Sequence, residues 1–146
     1  MAKNATILLV EDESSDVFLM RRALLKAGVS NSMHVVRDGE EALLYIRGSE
    51  KFADRNSYPM PTVMLLDLNM PKKSGFEVLE WIRSQDDLRH LPVVILSTSS
   101  QEQDIRKAYA LGANSYLTKP PDFDKLVDIV KVVELNWLKT NLYPST

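Results

Sequence analysis

Short apolar runs recur along the chain, and apolar residues return every three or four positions between them. The runs lie at 6–10, 33–36, 63–66, 93–96 and 115–117. Most are almost continuously apolar, which is typical of strands buried on both faces of a parallel sheet. The intervening segments have the period of amphipathic helices. Strand and helix alternate five times, which predicts an α/β fold with a parallel sheet and right-handed crossovers.

Two stretches are longer than this alternation requires. Residues 48–61 are polar and contain two prolines, which predicts a long loop of the kind that often carries function. Residues 134–146 extend the last helix. A chain of 146 residues has the size of one domain, so we expect a single domain over 1–146.

The composition excludes several classes of protein. The formal charge of −2 argues against a general nucleic-acid binder or a protein of anionic membrane surfaces, because such proteins are usually basic. The chain has no cysteine, which excludes disulfides and thiolate chemistry and fits the cytoplasm. No apolar stretch approaches the roughly 20 residues of a membrane span.

Polar side chains follow four of the predicted strands. Because ligands of parallel sheets bind outside the carboxyl ends of the strands, these side chains are expected to meet at one edge. They are Glu11, Asp12, Asp67, Ser97, Thr98 and Lys119.

The three acids of this set predict a metal site. Clustered carboxylates repel one another unless a cation compensates them, and hard oxygen ligands favour Mg²⁺. A carboxylate such as Asp67 can attack a phosphoryl group and form an acyl phosphate. Lys119 would pair with the bound phosphoryl group, and Ser97 would form a hydrogen bond with it.

Four motifs carry a resemblance to a known family: ILLVEDE, VMLLDLNMPKKSGFEVL, LPVVILSTSS and ANSYLTKP, in this order. The sequence resembles the receiver domains of two-component response regulators, of the chemotaxis-regulator type, from about residue 6 to residue 133. The resemblance implies a flavodoxin-like, doubly wound (βα)5 fold with strand order 2-1-3-4-5.

The resemblance also implies roles for the acidic residues. Asp67 matches the phosphoacceptor, which becomes an aspartyl phosphate. Asp12 and Asp67 match side-chain ligands of Mg²⁺. Glu11 would act largely through water, and the backbone carbonyl of Asn69 would complete the metal site.

The switch residues follow in the same way. Ser97 matches the switch hydroxyl, Lys119 the family lysine, and Tyr116 the aromatic residue that rotates on phosphorylation. Pro120 is expected to carry the family's cis peptide bond. Thr98 departs from the small residue usual at its position, and it would slow phosphoryl entry or hydrolysis.

The function implied is that of a stand-alone response regulator. A sensor histidine kinase or a phosphotransfer protein would phosphorylate Asp67, and the surface of the fourth helix, fifth strand and fifth helix would change partners. The long loop and the tail resemble single-domain receivers paired with bacterial phytochromes. As a receiver, the chain is not expected to be an enzyme. Its only expected catalysis is weak self-catalysed phosphotransfer and dephosphorylation.

Two other functions use part of the same residue pattern. A Mg²⁺-dependent aspartyl-phosphate phosphohydrolase commonly needs a second aspartate two residues after its nucleophile, where this chain has Asn69. An interaction module that works without phosphorylation would have no need of the intact set of acids, hydroxyl and lysine.

The fifth helix predicts a contact surface. One apolar stripe suits the core, and a second stripe on another side predicts a homodimer interface. The core stripe consists of Phe123, Leu126, Val127, Val130 and Val133. The second consists of Ile129, Val132, Leu135 and Leu138, with Trp137 and Tyr143 as anchors. Alternatively, the tail folds back over this stripe within one chain.

Overall fold

The computed structural model describes residues 5–70 and 72–139. Within them, a single sheet of five parallel strands has the order β2-β1-β3-β4-β5. The strands are β1 Thr6–Val10, β2 Ser32–Val36, β3 Val63–Leu66, β4 Val93–Ser97 and β5 Ser115–Thr118. The predicted fold class and strand order are confirmed.

Helices cover both faces of the sheet. They are α1 Ser14–Ala27, α2 Gly39–Arg47, α3 Gly75–Ser84, α4 Glu102–Ala110 and α5 Phe123–Val133. A π-helical segment, Glu134–Lys139, continues α5. None of the helices in the described part of the chain is long and apolar enough to cross a membrane.

The alternation of side chains along the strands creates two cores. Leu8 and Val10 of β1 pack with α2 and α3 on one face. Ile7 and Leu9 pack with α1 and α5 on the other. Because both faces of the sheet are covered, the central strands need apolar residues at every position. This burial leaves their carboxyl ends as the places where polar side chains can gather.

The loop over residues 48–61 is fastened to the end of α2 by Arg55. Its guanidinium donates hydrogen bonds to the carbonyl oxygens of Tyr45 at 2.8 Å, Ile46 at 2.6 Å and Tyr58 at 3.0 Å. Carbonyls in the last turn of a helix lack helical partners and carry partial negative charge, so a cation stabilises them. Arg55 thereby ties the loop to the helix that precedes it.

The same loop is also packed into the core. Phe52 lies in a short 3₁₀ turn and is buried, and the hydroxyl of Tyr45 donates to the Pro59 carbonyl at 2.9 Å. Gly48 has a φ of 68°, and a Cβ there would lie 2.8 Å from the Arg55 side chain. The loop ends beside the first residue of β1, at the amino ends of the strands. It therefore lies away from the sheet edge where the predicted site residues gather.

The predicted second stripe of the fifth helix is only partly exposed. Val132 and Leu135 are 48% and 56% exposed, whereas Leu138 is buried and Ile129 packs against the core. In a π-helix, residues five apart share a face, so Leu138 follows the buried Val133 inward. The prediction of an exposed stripe was therefore wrong for Leu138, while Ile129 is partly buried.

The structure describes only one of the two predicted anchors of that stripe. Trp137 is half-buried and packs against the core formed by α1 and α5. Tyr143 lies outside the described residues.

Candidate acidic site at the carboxyl ends of the strands

Three carboxylates meet where β1 and β3 end. Glu11 and Asp67 continue the backbone pairing of the sheet by one residue, through N–H bonds to Val36 and Val10 of 3.0 and 3.1 Å. Their side chains are buried, and that of the adjacent Asp12 is exposed. One oxygen from each of the three carboxylates lies within 4.8 Å of the others. The acids predicted from the sequence therefore come together.

The ammonium of Lys119 reaches this cluster from β5. Its backbone N–H donates to the Ser97 carbonyl at 2.7 Å, which fixes the residue beside β4. Its Nζ lies 2.6 Å from Glu11 Oε1, 3.1 Å from Asp16 Oδ2 and 3.6 Å from Asp67 Oδ2. One partly buried cation thus faces three acids.

Burial is the largest influence on the pKa values of this site. Burial raises the pKa of the Glu11 carboxyl, and the hydrogen bond and charge of Lys119 oppose this. Burial likewise raises the pKa of Asp67, with Lys119 opposing and the charge of Asp12 adding to the rise. For Lys119, burial lowers the pKa, but Glu11 and Asp67 outweigh it and the pKa is raised. A second cation would stabilise the ionised acids.

A chain of hydrogen bonds leads from the site to β5. Ser97 is fully buried, and its Oγ accepts the N–H of Ser99 at 3.1 Å. The Ser99 carbonyl in turn accepts the hydroxyl of Tyr116 at 2.9 Å. Tyr116 is half-buried, and its N–H donates to the hydroxyl of Tyr109 at 3.0 Å. The neighbouring Thr98 is exposed.

The segment after Asp67 is held close to the acid. The N–H of Asn69 donates to Asp67 Oδ1 at 3.4 Å, and the Asn69 side chain is exposed. Gly75 begins α3 against the backbone of Asp67, where a Cβ would clash with the Asp67 carbonyl oxygen. The glycine therefore allows α3 to start directly beneath the acid.

The predicted cis bond at Pro120 was wrong, since the described residues contain no cis peptide bond. Bonds before proline favour the trans form by only about 0.5–1 kcal/mol, so sequence alone leaves the isomer open. Lys119 reaches the acids with a trans bond after it.

Asp16 was not predicted from the sequence as a site residue. This acid lies in the first turn of α1 and contacts Lys119, although it does not belong to the carboxylate trio. No sequence pattern marks it, because the contact depends on how α1 packs beside Lys119.

The arrangement suits chemistry at a phosphoryl group. It offers a carboxylate nucleophile, a cation beside it, a buried hydroxyl and oxygen ligands for a hard metal ion. A family model described as the response regulator receiver domain matches residues 7–131. The chain belongs to this receiver family.

Its relatives include other receivers. Response regulator Rcp1 of Synechocystis sp. is 39% identical over 95% of this chain and 92% of its own length. The structure of response regulator RPA3017, from red light signaling of R. palustris, has a TM-score of 0.92, with 37% identity over 97% of this receiver and 99% of that chain. The phosphorylated cyanobacterial phytochrome response regulator RcpA has a TM-score of 0.88 and 43% identity, over the same shares. A structure of Rcp1 holds Mn²⁺, with a TM-score of 0.84 and 37% identity, again over these shares.

Proposed function

We propose that this receiver accepts a phosphoryl group on Asp67. The observation that carries the proposal is the buried Asp67 carboxylate, which lies 3.6 Å from the ammonium of Lys119 and beside two further acids. Its oxygen forms a bond to phosphorus while the bond from phosphorus to the donor breaks. The electron pair of that bond leaves with the donor, so a histidine nitrogen is a suitable leaving group.

The metal would be Mg²⁺, held by the side chains of Asp12 and Asp67 and the carbonyl of Asn69, with Glu11 acting through water. The clustered oxygens and the raised pKa values of Glu11 and Asp67 fit a divalent cation. When bound, such an ion stabilises the negative charge of the transferring group.

The chain's own residues hold the phosphoryl group. Lys119 pairs with one of its oxygens, a role that the short distance from Nζ to Asp67 supports. The hydroxyl of Ser97 donates to another. Thr98, exposed beside it, narrows the approach of water and slows hydrolysis.

The output would pass through the surface of α4, β5 and α5. A movement of Ser97 toward the phosphoryl group changes its bond with Ser99, and Ser99 holds the hydroxyl of Tyr116. Tyr116 is then free to rotate inward. The two hydrogen bonds give the switch a physical route from acid to surface.

The donor would be a sensor histidine kinase of the phytochrome type or its phosphotransfer protein. RcpA, a phytochrome response regulator, supports this assignment by its likeness to nearly the whole of the described chain. We further propose that the receiver works in the cytoplasm, forms a homodimer through α5, and binds neither nucleic acid nor membrane.

The receiver would act as a reversible switch and not as a turnover enzyme. A phosphohydrolase of the aspartyl-phosphate type would need an acid at position 69, and Asn69 cannot transfer a proton in that way.

Incubation with acetyl phosphate and Mg²⁺, followed by intact mass measurement, tests the central assignment. We expect one phosphoryl adduct that disappears in Asp67→Asn and on addition of EDTA. Asp124→Asn removes an exposed acid from the first turn of α5 and should leave the adduct in place. An adduct that survives Asp67→Asn would exclude Asp67 as the acceptor.

A further inference from the structure

Asp16 lies outside the carboxylate trio but contacts the same cation. Its Oδ2 is 3.1 Å from Lys119 Nζ, closer than the 3.6 Å that separates Nζ from Asp67. The Asp16 side chain is 40% exposed and belongs to α1, so it approaches the ammonium from a different element than Asp67 does.

The number of N–H donors on the ammonium indicates what the contact with Asp16 does. A lysine ammonium has three N–H donors and no acceptor. In the structure, two acceptors lie within hydrogen-bond distance, Glu11 at 2.6 Å and Asp16 at 3.1 Å. With two donors engaged, the third is left for an acceptor on the side of Asp67, where the phosphoryl oxygens would lie.

The surroundings of Lys119 leave room for its ammonium to move. A cavity of about 60 Å³ adjoins its side chain, lined by Asp16, Leu19, Pro120 and Leu126 among others. Lysine has a flexible four-carbon stem, so free volume beside it allows the ammonium to turn away from the acids. A water molecule needs only about 10–15 Å³ of such volume, so the cavity leaves ample room for that movement.

We propose that Asp16 is a positioning residue, which together with Glu11 orients the Lys119 ammonium toward the phosphoryl group on Asp67. This inference rests on the proposed phosphorylation of Asp67. Asp16 lies outside the carboxylate trio, and it acts through its contact with Lys119.

The negative charge of Asp16, taken alone, predicts the opposite role for this residue. The carboxylate of Asp16 could hold the ammonium away from Asp67 and compete with the phosphoryl group. In that case every variant that lacks the charge would react faster than the wild type. Positioning instead requires an acceptor atom at residue 16, with or without its charge.

Phosphorylation rates of Asp16→Ala and Asp16→Asn distinguish these roles. With acetyl phosphate and Mg²⁺, we expect Asp16→Ala to be slower than the wild type by about tenfold, as for other residues that orient a functional side chain. The amide oxygen of Asp16→Asn still accepts a hydrogen bond, weaker than one to a carboxylate, so this variant should be within about threefold of the wild type. An Asp16→Ala rate at or above that of the wild type, or an Asp16→Asn rate as low as that of Asp16→Ala, would overturn the proposal.

Asp124→Ala is the matched control, because Asp124 also lies in the first turn of a helix and does not contact Lys119. It removes the favourable interaction between an acid and a helix N-terminus without changing the site. A rate loss in Asp124→Ala equal to that in Asp16→Ala would assign the effect to helix stability and contradict the proposal.

The ammonium can also be observed without any reaction. In a ¹H–¹⁵N spectrum, the Lys119 Nζ signal, assigned by its absence in Lys119→Arg, should shift or broaden in Asp16→Ala and stay unchanged in Asp124→Ala. An unchanged signal in Asp16→Ala would contradict the inference. If the wild type takes no phosphoryl group, the proposed function fails, and the spectrum separates that failure from failure of the Asp16 contact.

Discussion

Tyr45 is the largest side chain that the core buries completely, at 1% exposure. Its ring packs against His34, Phe52 and Tyr58, with ring centroids 5.0–6.0 Å apart. Its hydroxyl donates to the Pro59 carbonyl, so the neutral form has its hydrogen bond inside the protein. Ionising this hydroxyl would place an unfavourable charge in an apolar environment.

This burial gives a prediction for alkaline pH. Burial raises the pKa of the Tyr45 hydroxyl from 10 to about 12. Below pH 10 the hydroxyl is protonated in both states, and its contribution to stability is complete. Between about pH 10 and 12 only the unfolded state ionises, so the free energy of unfolding should fall by roughly 2–3 kcal/mol. Urea unfolding measured across this range checks the slope.

Two variants isolate the contribution of the hydroxyl. Tyr45→Phe should lose this part of the pH dependence. Ile46→Val destabilises the same core without a titratable group, and it should keep the slope of the wild type. Equal slopes for Tyr45→Phe and the wild type would contradict the assignment.

At the scale of elements, α2 and the loop after it form one unit. Arg55 holds two carbonyls of the last turn of α2 and one carbonyl of the loop. The loop over residues 48–61 therefore stabilises the end of α2 and lies at the amino ends of the strands. Its bonds explain how a polar segment of this length is held against the end of α2.

We expect Arg55→Ala to lower the free energy of unfolding by about 2 kcal/mol, because it leaves carbonyls of the helix end without their charged donor. Arg55→Lys keeps the charge but loses the forked geometry of the guanidinium. Its free energy of unfolding should lie between those of the wild type and Arg55→Ala. Arg89→Ala is the control, since Arg89 pairs with Asp86 at an exposed site, where such pairs contribute little. Urea unfolding of the three variants measures the effect, and equal stabilities for Arg55→Ala and Arg89→Ala would contradict it.

Periodicity predicted these elements well and their details less so. The β1 and β3 runs coincide with the strands because continuous burial leaves a clear apolar signal. The end of α5 was misjudged because an α-helical period was assumed where the backbone becomes π-helical. The change from α-helix to π-helix arises from the packing of residues such as Leu138. No local sequence pattern predicts it.

For the whole molecule, the exposed surface of α5 is smaller than the sequence indicated. Val132 and Leu135 remain exposed, and they form the patch on which the proposed homodimer rests. A patch of this size suits a weak or phosphorylation-dependent dimer better than a permanent one.

Sedimentation with and without beryllofluoride tests the dimer. We expect self-association in at least one state, and Leu135→Glu should weaken it about 30-fold, the effect of losing roughly 2 kcal/mol at an interface centre. Leu25→Glu, at an exposed leucine of α1, is the matched control and should leave association unchanged. A monomer in both states of the wild type would rule out the dimer.

The topology of the whole sheet explains why most of the site residues could be predicted from the sequence. Glu11, Asp67 and Lys119 lie far apart along the chain, but each follows a strand, and parallel topology brings strand ends together. Asp16 was missed because its contact depends on how α1 leans toward β5, which is a matter of packing.

The contact between Tyr109 and Tyr116 limits how copies of this chain can associate. β5 is the last strand of the sheet, and the open edge of such a strand can be extended by a strand from another molecule. Here the hydroxyl of Tyr109 accepts a backbone N–H of that edge, at Tyr116. A tyrosine side chain thus fills a position that an incoming strand would need. Growth of the sheet from one molecule into the next is therefore disfavoured at the β5 edge.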